Sequence, residues 1–203
     1  MRAPGKPSAA RPAALARALA RALLALAVAG ASLSAAPPAL AQAAQSGALE
    51  RSVKAAFLYK FLAYAQFAPS AFADAEAPVT IGVLGADEMA SELSRVVAGR
   101  KIERRAIAVR ALREGDPLEG VQLLFLAGAD EARVAAQLRG AAHHALLTVT
   151  QTDSGLQDGS VINFRIIDER VRFEVSLEAA ARNGVALSSR LLSVAYLVAR
   201  RAP

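Results

Sequence analysis

The chain has 203 residues, 54% of them hydrophobic, with 24 basic and 18 acidic side chains and no cysteine or tryptophan. Without cysteine, zinc–thiolate sites, thiol redox chemistry and cysteine nucleophiles are all excluded, and so few aromatics argue against an aromatic carbohydrate platform. Five of the basic residues (Arg2, Lys6, Arg11, Arg17 and Arg21) fall in the first 41 positions, leaving 19 basic against 18 acidic residues beyond them; that near-neutral remainder argues against nucleic-acid binding and a polybasic membrane surface.

Those first 41 residues read as a secretory address. The basic stretch contains no acid, Ala22 to Ala29 is apolar, and Ala39-Leu40-Ala41 is a small-x-small cleavage site before Gln42. The apolar run is far shorter than the roughly 20 residues a spanning helix needs. The expectation is a cleaved signal peptide over 1–41, a flexible lead over 42–48 and one domain over 49–203, working outside the cytoplasm.

From Leu49 a helix is predicted, with Val53, Ala56, Phe57, Lys60, Phe61 and Tyr64 three and four apart on one face and a stop before Pro69. The Phe57, Phe61 and Tyr64 stripe suits core packing; a partner groove is the sharper alternative. Val79 to Gly85 reads as a buried strand, and Asp87 as the cap of a helix to Ala98 with Met89, Leu93, Val96 and Val97 inward. Lys101 to Arg110 alternates as a more exposed strand. Val121 to Ala127 is a second buried strand, Asp130 to Arg139 a helix, and Ala145 to Thr150 a third buried strand. Val161 to Ile167 and Arg170 to Ser176 alternate across Asp168-Glu169 as an antiparallel hairpin. A short helix over Leu177 to Asn183 closes at Gly184. A last helix, capped by Ser188-Ser189, carries Leu191, Leu192, Val194, Ala195 and Leu197 inward. The order implies an α/β fold in a single domain, with a mostly parallel sheet, helices on both faces and an added C-terminal antiparallel hairpin.

Few constellations offer chemistry. Gly82 to Asp87 turns from strand to helix without the full glycine-rich phosphate fingerprint. His143 and His144 are adjacent, so on a strand they point apart and cannot share a metal. Asp153, Ser154 and His144 supply the residue types of a hydrolytic triad, but Ser154 sits in no nucleophile elbow. Asn163 and Arg165 share one strand face, with Arg172 and Glu174 across the hairpin. A cross-strand ion pair explains them; a ligand or partner surface is the sharper reading. No catalytic residue, metal or cofactor is expected.

Several segments, in order, resemble the YfiR-like periplasmic family. They are Val53-Lys-Ala-Ala-Phe-Leu-Tyr-Lys-Phe61, Ile81-Gly-Val-Leu-Gly85, Leu123-Leu-Phe-Leu126, Gly159-Ser-Val-Ile-Asn-Phe164, Val171-Arg-Phe-Glu-Val175 and Ser188-Ser-Arg-Leu-Leu192. The resemblance implies a secreted regulator that binds and inhibits the periplasmic domain of a membrane diguanylate cyclase, lowering cyclic-di-GMP and biofilm output. It also implies an outer-membrane lipoprotein that releases inhibition, and a homodimer. Relatives commonly carry structural cysteines, which this chain lacks, so redox-dependent regulation loses its basis here. Tyr64-Ala-Gln-Phe67-Ala-Pro69 also departs from the tryptophan-proline common in relatives. Partner contact is expected at Phe57, Phe61 and Tyr64 or at Asn163, Arg165, Arg172 and Glu174. The competing expectation is a periplasmic small-molecule-binding protein serving a transporter or sensor kinase, its site beyond the carboxyl ends of the strands.

Overall fold

A computed structural model describes residues 38–128, 130–142 and 144–200. The basic and apolar parts of the leader, and His143, lie outside the described residues. The chain divides into two compact units, Met1–Ser46 and Gly47–Pro203; the sheet, the helical residues 47–64 and the later helices belong to the second.

The elements in chain order are α1 (Pro38–Tyr64), β1 (Ala65–Gln66), a 3₁₀ turn at Pro69–Ala71, β2 (Val79–Leu84), α2 (Asp87–Val97), β3 (Lys101–Ile102) and β4 (Arg105–Leu112). There follow β5 (Leu123–Leu126), α3 (Glu131–Ala141), β6 (Leu147–Thr150), β7 (Ile162–Ile167) and β8 (Arg170–Ser176). The chain finishes with α4 (Leu177–Arg182), β9 (Ala186–Leu187), α5 (Ser189–Leu192) and β10 (Leu197–Ala199). One eight-stranded sheet runs in the order β10-β8-β7-β6-β5-β2-β4-β3, parallel except at the β7–β8 and β3–β4 pairs. The small strands β1 and β9 form a separate antiparallel pair.

Alternate strand residues go to opposite faces, and here both faces are buried. Leu123 and Phe125 join a core under α1, α2 and α4 that holds Leu58, Phe61, Ile81, Leu93 and Ala179. Their neighbours Leu124 and Leu126 join a second core under α3, with Val134 and Leu138. This two-sided burial is why β5 reads as a continuous apolar run and β2 as a nearly continuous one, while the two threonines of β6 are buried as well. The mostly parallel sheet with helices on both faces is the architecture expected from the sequence.

Four local expectations are corrected. First, α1 starts at Pro38, well before Leu49, so the polar lead is helical. Its buried face is Lys54, Ala55, Leu58, Phe61 and Leu62, whereas Ala56 and Lys60 are exposed. The aromatic stripe therefore marks one margin of the buried face rather than its centre. Second, Asp87 is the first helical residue of α2; the cap is Ala86, which offers no side-chain bond. Third, the strand expected over 101–110 is a tight hairpin, Ile102 pairing with Arg105 across Glu103, whose φ is 55°. Fourth, the last helix is only α5. Leu191 is buried, but Val194 and Leu197 are exposed, and the chain leaves as β10 alongside β8. Val194, Tyr196 and Val198 favour extended backbone, and the edge of β8 supplies hydrogen-bond partners that an isolated helical turn lacks.

The Gly85 turn is sterically determined. Its φ is 82°, and a Cβ there would lie 2.1 Å from the Ala127 carbonyl oxygen, so only glycine lets the end of β2 pass that close to the chain leaving β5. At the hairpin tip, Asp168 and Glu169 both take positive φ, 49° and 58°, as a type I′ turn requires. Glycine suits the second position better than glutamate. Glu169→Gly is expected to raise stability by about 0.5–1 kcal/mol by relieving left-handed strain. A chemical denaturation midpoint that fails to rise would show that the turn carries no such strain.

Candidate functional site

The candidate site lies on the β7–β8 hairpin and the loop after β6. Ile162, Phe164, Phe173 and Val175 point into the core beneath α1, so Asn163, Arg165, Arg172 and Glu174 share the opposite face. The pairing expected across the hairpin does not form. Arg165 stands opposite Arg172, and Asn163 opposite Glu174. Arg165 instead donates to Asp153, at 2.9 Å to its Oδ1 and 3.2 Å to its carbonyl.

Depth separates these four residues. Asn163 is fully buried. Its amide nitrogen donates to the Thr152 carbonyl at 2.9 Å, and its Oδ1 accepts from Thr150 Oγ1 at 2.8 Å. The loop closes over it at Gly155, where a Cβ would sit 2.4 Å from that same Oδ1. Asn163 is thus a strut that pins the loop carrying Asp153, and Asp153 in turn holds Arg165. Glu174 is half-buried, while Arg172 is exposed and forms no ion pair among the described residues. Like charges directly opposite on a sheet face are destabilising. Of these two guanidiniums only Arg165 is neutralised by an ion pair among the described residues.

The helical aromatics are placed otherwise. Phe61 is fully buried and Phe57 half-buried; their rings stack at 5.9 Å between centroids. Both meet Phe164 and Phe173, at distances from 4.9 to 6.2 Å. Tyr64 is half-buried, and its carbonyl accepts the Ser188 N–H at 2.9 Å. This stripe is therefore an aromatic knot joining α1 to the inner face of the hairpin, so the two candidate regions are back to back across one sheet.

Two clefts open at the carboxyl ends of the parallel strands, where ligands of such sheets bind. One, of about 550 Å³, is lined by Gly85, Asp87, Arg113, Glu114, Asp130 and Arg133. Arg133 is bonded to Glu114, and Asp130 caps the Arg133 N–H, so much of its charge is already engaged. The other, of about 370 Å³, lies between α1 and the start of α2. Its floor holds Lys54, a buried cation that the sequence reading passed over, although it sits at the second position of the α1 signature. Lys54 Nζ donates to Gln151 Oε1 at 2.9 Å and pairs with Glu50. A lysine kept in the apolar face of a helix was the sequence signal for it.

The triad residue types do not meet. Ser154 Oγ donates to Asp158 Oδ2 at 2.6 Å. His144 precedes β6 and Ser154 follows it, so the two lie beyond opposite ends of that strand. Among the described residues no group of histidine and carboxylate side chains could hold a metal ion, and no helix is long and apolar enough to cross a membrane.

No curated protein matches the sequence. A family model described as YfiR/HmsC-like matches residues 51–196, a span that contains the aromatic knot, the hairpin, the cleft at Gly85 and most of the lining of the cleft at Lys54. The chain belongs to the YfiR/HmsC-like family.

Proposed function

We propose that this protein is a periplasmic regulator that binds the periplasmic sensor region of a membrane diguanylate cyclase and holds it inactive. Family membership over residues 51–196 carries the reading. The basic, acid-free opening followed by an apolar run and Ala39-Leu40-Ala41 supports export and cleavage after Ala41. Regulation of this kind needs no catalytic group. Tighter binding to the inactive cyclase shifts its equilibrium by the difference in affinity between its two states, and by no more. An outer-membrane lipoprotein that competes for the regulator would then release the cyclase, and a homodimer would present the surface twice.

The hairpin face is the surface we assign to the cyclase, because Arg165 and Arg172 stand opposite each other where an acidic partner would relieve their repulsion. Direct binding to the periplasmic domain of a co-encoded cyclase, with cyclase activity followed as the complex forms, tests the function. Saturable binding with falling activity is the expected result; a folded cognate domain that is not bound, or cellular cyclic-di-GMP unchanged on deletion, removes the proposal. The Arg165→Glu, Arg172→Glu double variant is expected to bind about tenfold or more weakly, with the loss largest at low salt. Unaltered affinity in the folded variant would remove the hairpin assignment alone.

A further inference from the structure

The eight-stranded sheet ends at β10, whose outer side has no neighbouring strand among the described residues. The ladder shows which groups that edge presents. Ser176 N donates to the Val161 carbonyl and Tyr196 N to the Phe173 carbonyl. Even-numbered residues of β8 thus direct their backbone toward β7, and Phe173 and Val175 direct theirs toward β10. With Leu197 beside Glu174 and Ala199 beside Ser176 in parallel register, Leu197 and Ala199 bond inward to β8. The N–H and C=O of Val198 face outward.

Soluble proteins usually blunt such an edge with lysine, proline or a bulge. Here Ala195 to Ala199 contains neither lysine nor proline. Instead Ile166, Val194, Tyr196 and Leu197, from the hairpin and the β10 segment, are all 47–64% exposed. The charge that flanks β10 along the chain is basic, with Glu174 beside Leu197 in the ladder as the acid on that edge. Residues 179–203 contain four arginines and no acid, and of these Arg182 is paired with Glu178. Arg190 and Arg200, either side of β10, are exposed and in no ion pair among the described residues.

We infer that the free edge of β10 takes up an extended segment of a partner protein as an added strand, and that this segment alternates acidic and apolar residues. Backbone pairing to Val198 supplies the geometry, the exposed apolar side chains supply contact area, and the flanking arginines select the charge. A second copy of this chain fits less well, because edge-to-edge pairing would bring Arg190 and Arg200 of both copies together. The inference rests on the reading that the partner is a protein, and it adds the mode of attachment and the chemistry of the attached segment.

The test uses the exported protein and a fluorescein-labelled decapeptide of alternating valine and glutamate. Two controls are the peptide with lysine for glutamate and the same valine–glutamate peptide N-methylated on the amides of one edge. Val198→Pro deletes only the outward donor, a change an edge strand tolerates; Leu197→Glu adds a negative charge at an exposed side chain of the edge, opposing an acidic segment. Saturable binding of the valine–glutamate peptide is expected, weakened about tenfold or more by either substitution, by N-methylation and by lysine. Absence of saturable binding up to about 1 mM overturns the proposal, as does equal binding of the lysine peptide. Leu197→Glu decides the matter if Val198→Pro fails to fold; wild-type affinity in Leu197→Glu overturns the proposal. Dimerisation of the free protein that Leu197→Glu abolishes would also overturn it, by giving the edge to a second copy. The same variants are then measured against the cyclase domain. Full affinity there ends the edge proposal and leaves the cyclase reading standing, whereas peptide binding without cyclase-domain binding does the reverse.

Discussion

Phe61→Ala is expected to destabilise the domain by about 4 kcal/mol, within the range for deleting a buried aromatic ring. The ring is fully buried and touches three others, with centroids at 5.9 Å from Phe57, 5.6 Å from Phe164 and 4.9 Å from Phe173. Its removal leaves a cavity at the one place where α1 grips the inner face of the hairpin. Phe57, Phe164 and Phe173 come from three elements, α1, β7 and β8, already fixed by their ladders and helix bonds, so they cannot easily collapse to fill it. For a domain of this size the loss corresponds to a melting temperature lower by on the order of 10 °C. The consequence for function is indirect: partner affinity should fall only with the fraction of folded protein. If Phe61→Ala instead keeps its melting temperature and loses partner binding, the aromatic face is a contact surface and its core role is wrong.

That result would separate two ideas which the sequence leaves joined. The spacing of Phe57, Phe61 and Tyr64 places them on one helical face, but spacing alone does not say what meets that face. Phe164 and Phe173, more than a hundred residues further on, settle it, and the partner rings become visible only when the hairpin is laid against α1. The same limit explains the rotated face of α1, where Ala56 and Lys60 match the period and yet are exposed. Buried parallel strands were legible because burial on both faces leaves nothing polar in Ile81 to Val83 or Leu123 to Leu126. The hairpin was legible from its alternation and from Asp168-Glu169. The segment after Leu192 was not. Leu191, Val194 and Leu197 repeat at helical spacing, and only the open edge of β8 makes the extended form the better one.

The hairpin face was half legible. Alternation put Asn163, Arg165, Arg172 and Glu174 on one side of the sheet correctly, but register decides which residues face each other, and it set arginine against arginine. The neutralising carboxylate comes from Asp153, in a loop whose path no periodicity describes. So the charge of this face is assembled from two segments, and the part left over for a partner is the exposed Arg172 together with whatever of Arg165 a competing acid can take from Asp153. An ion pair whose carboxylate is solvent-exposed contributes little, about 0–1 kcal/mol, so that exchange is energetically open.

Asn163→Ala is expected to cost about 3 kcal/mol, far more than any change at the arginines beside it. The asparagine has no solvent exposure, and both ends of its amide are engaged, to the Thr152 carbonyl and to Thr150 Oγ1. Alanine leaves those two groups buried without partners, and each unsatisfied group costs about 1–3 kcal/mol. It also opens a gap under Gly155, whose missing Cβ lets the loop descend onto the amide. The loop should then lift, and Asp153 with it, freeing Arg165 from its ion pair. Two readouts divide the structural role from the recognition role. In chemical denaturation, Asn163→Ala should show the full loss and Arg165→Ala less than about 1 kcal/mol. In partner binding under conditions where both remain folded, Arg165→Ala should be the weaker binder, because it removes a contact group that Asn163→Ala only releases. Equal stabilities for the two variants would mean that the loop is held by something other than the asparagine, and the route from Asn163 through Asp153 to Arg165 would then carry no weight in shaping the surface.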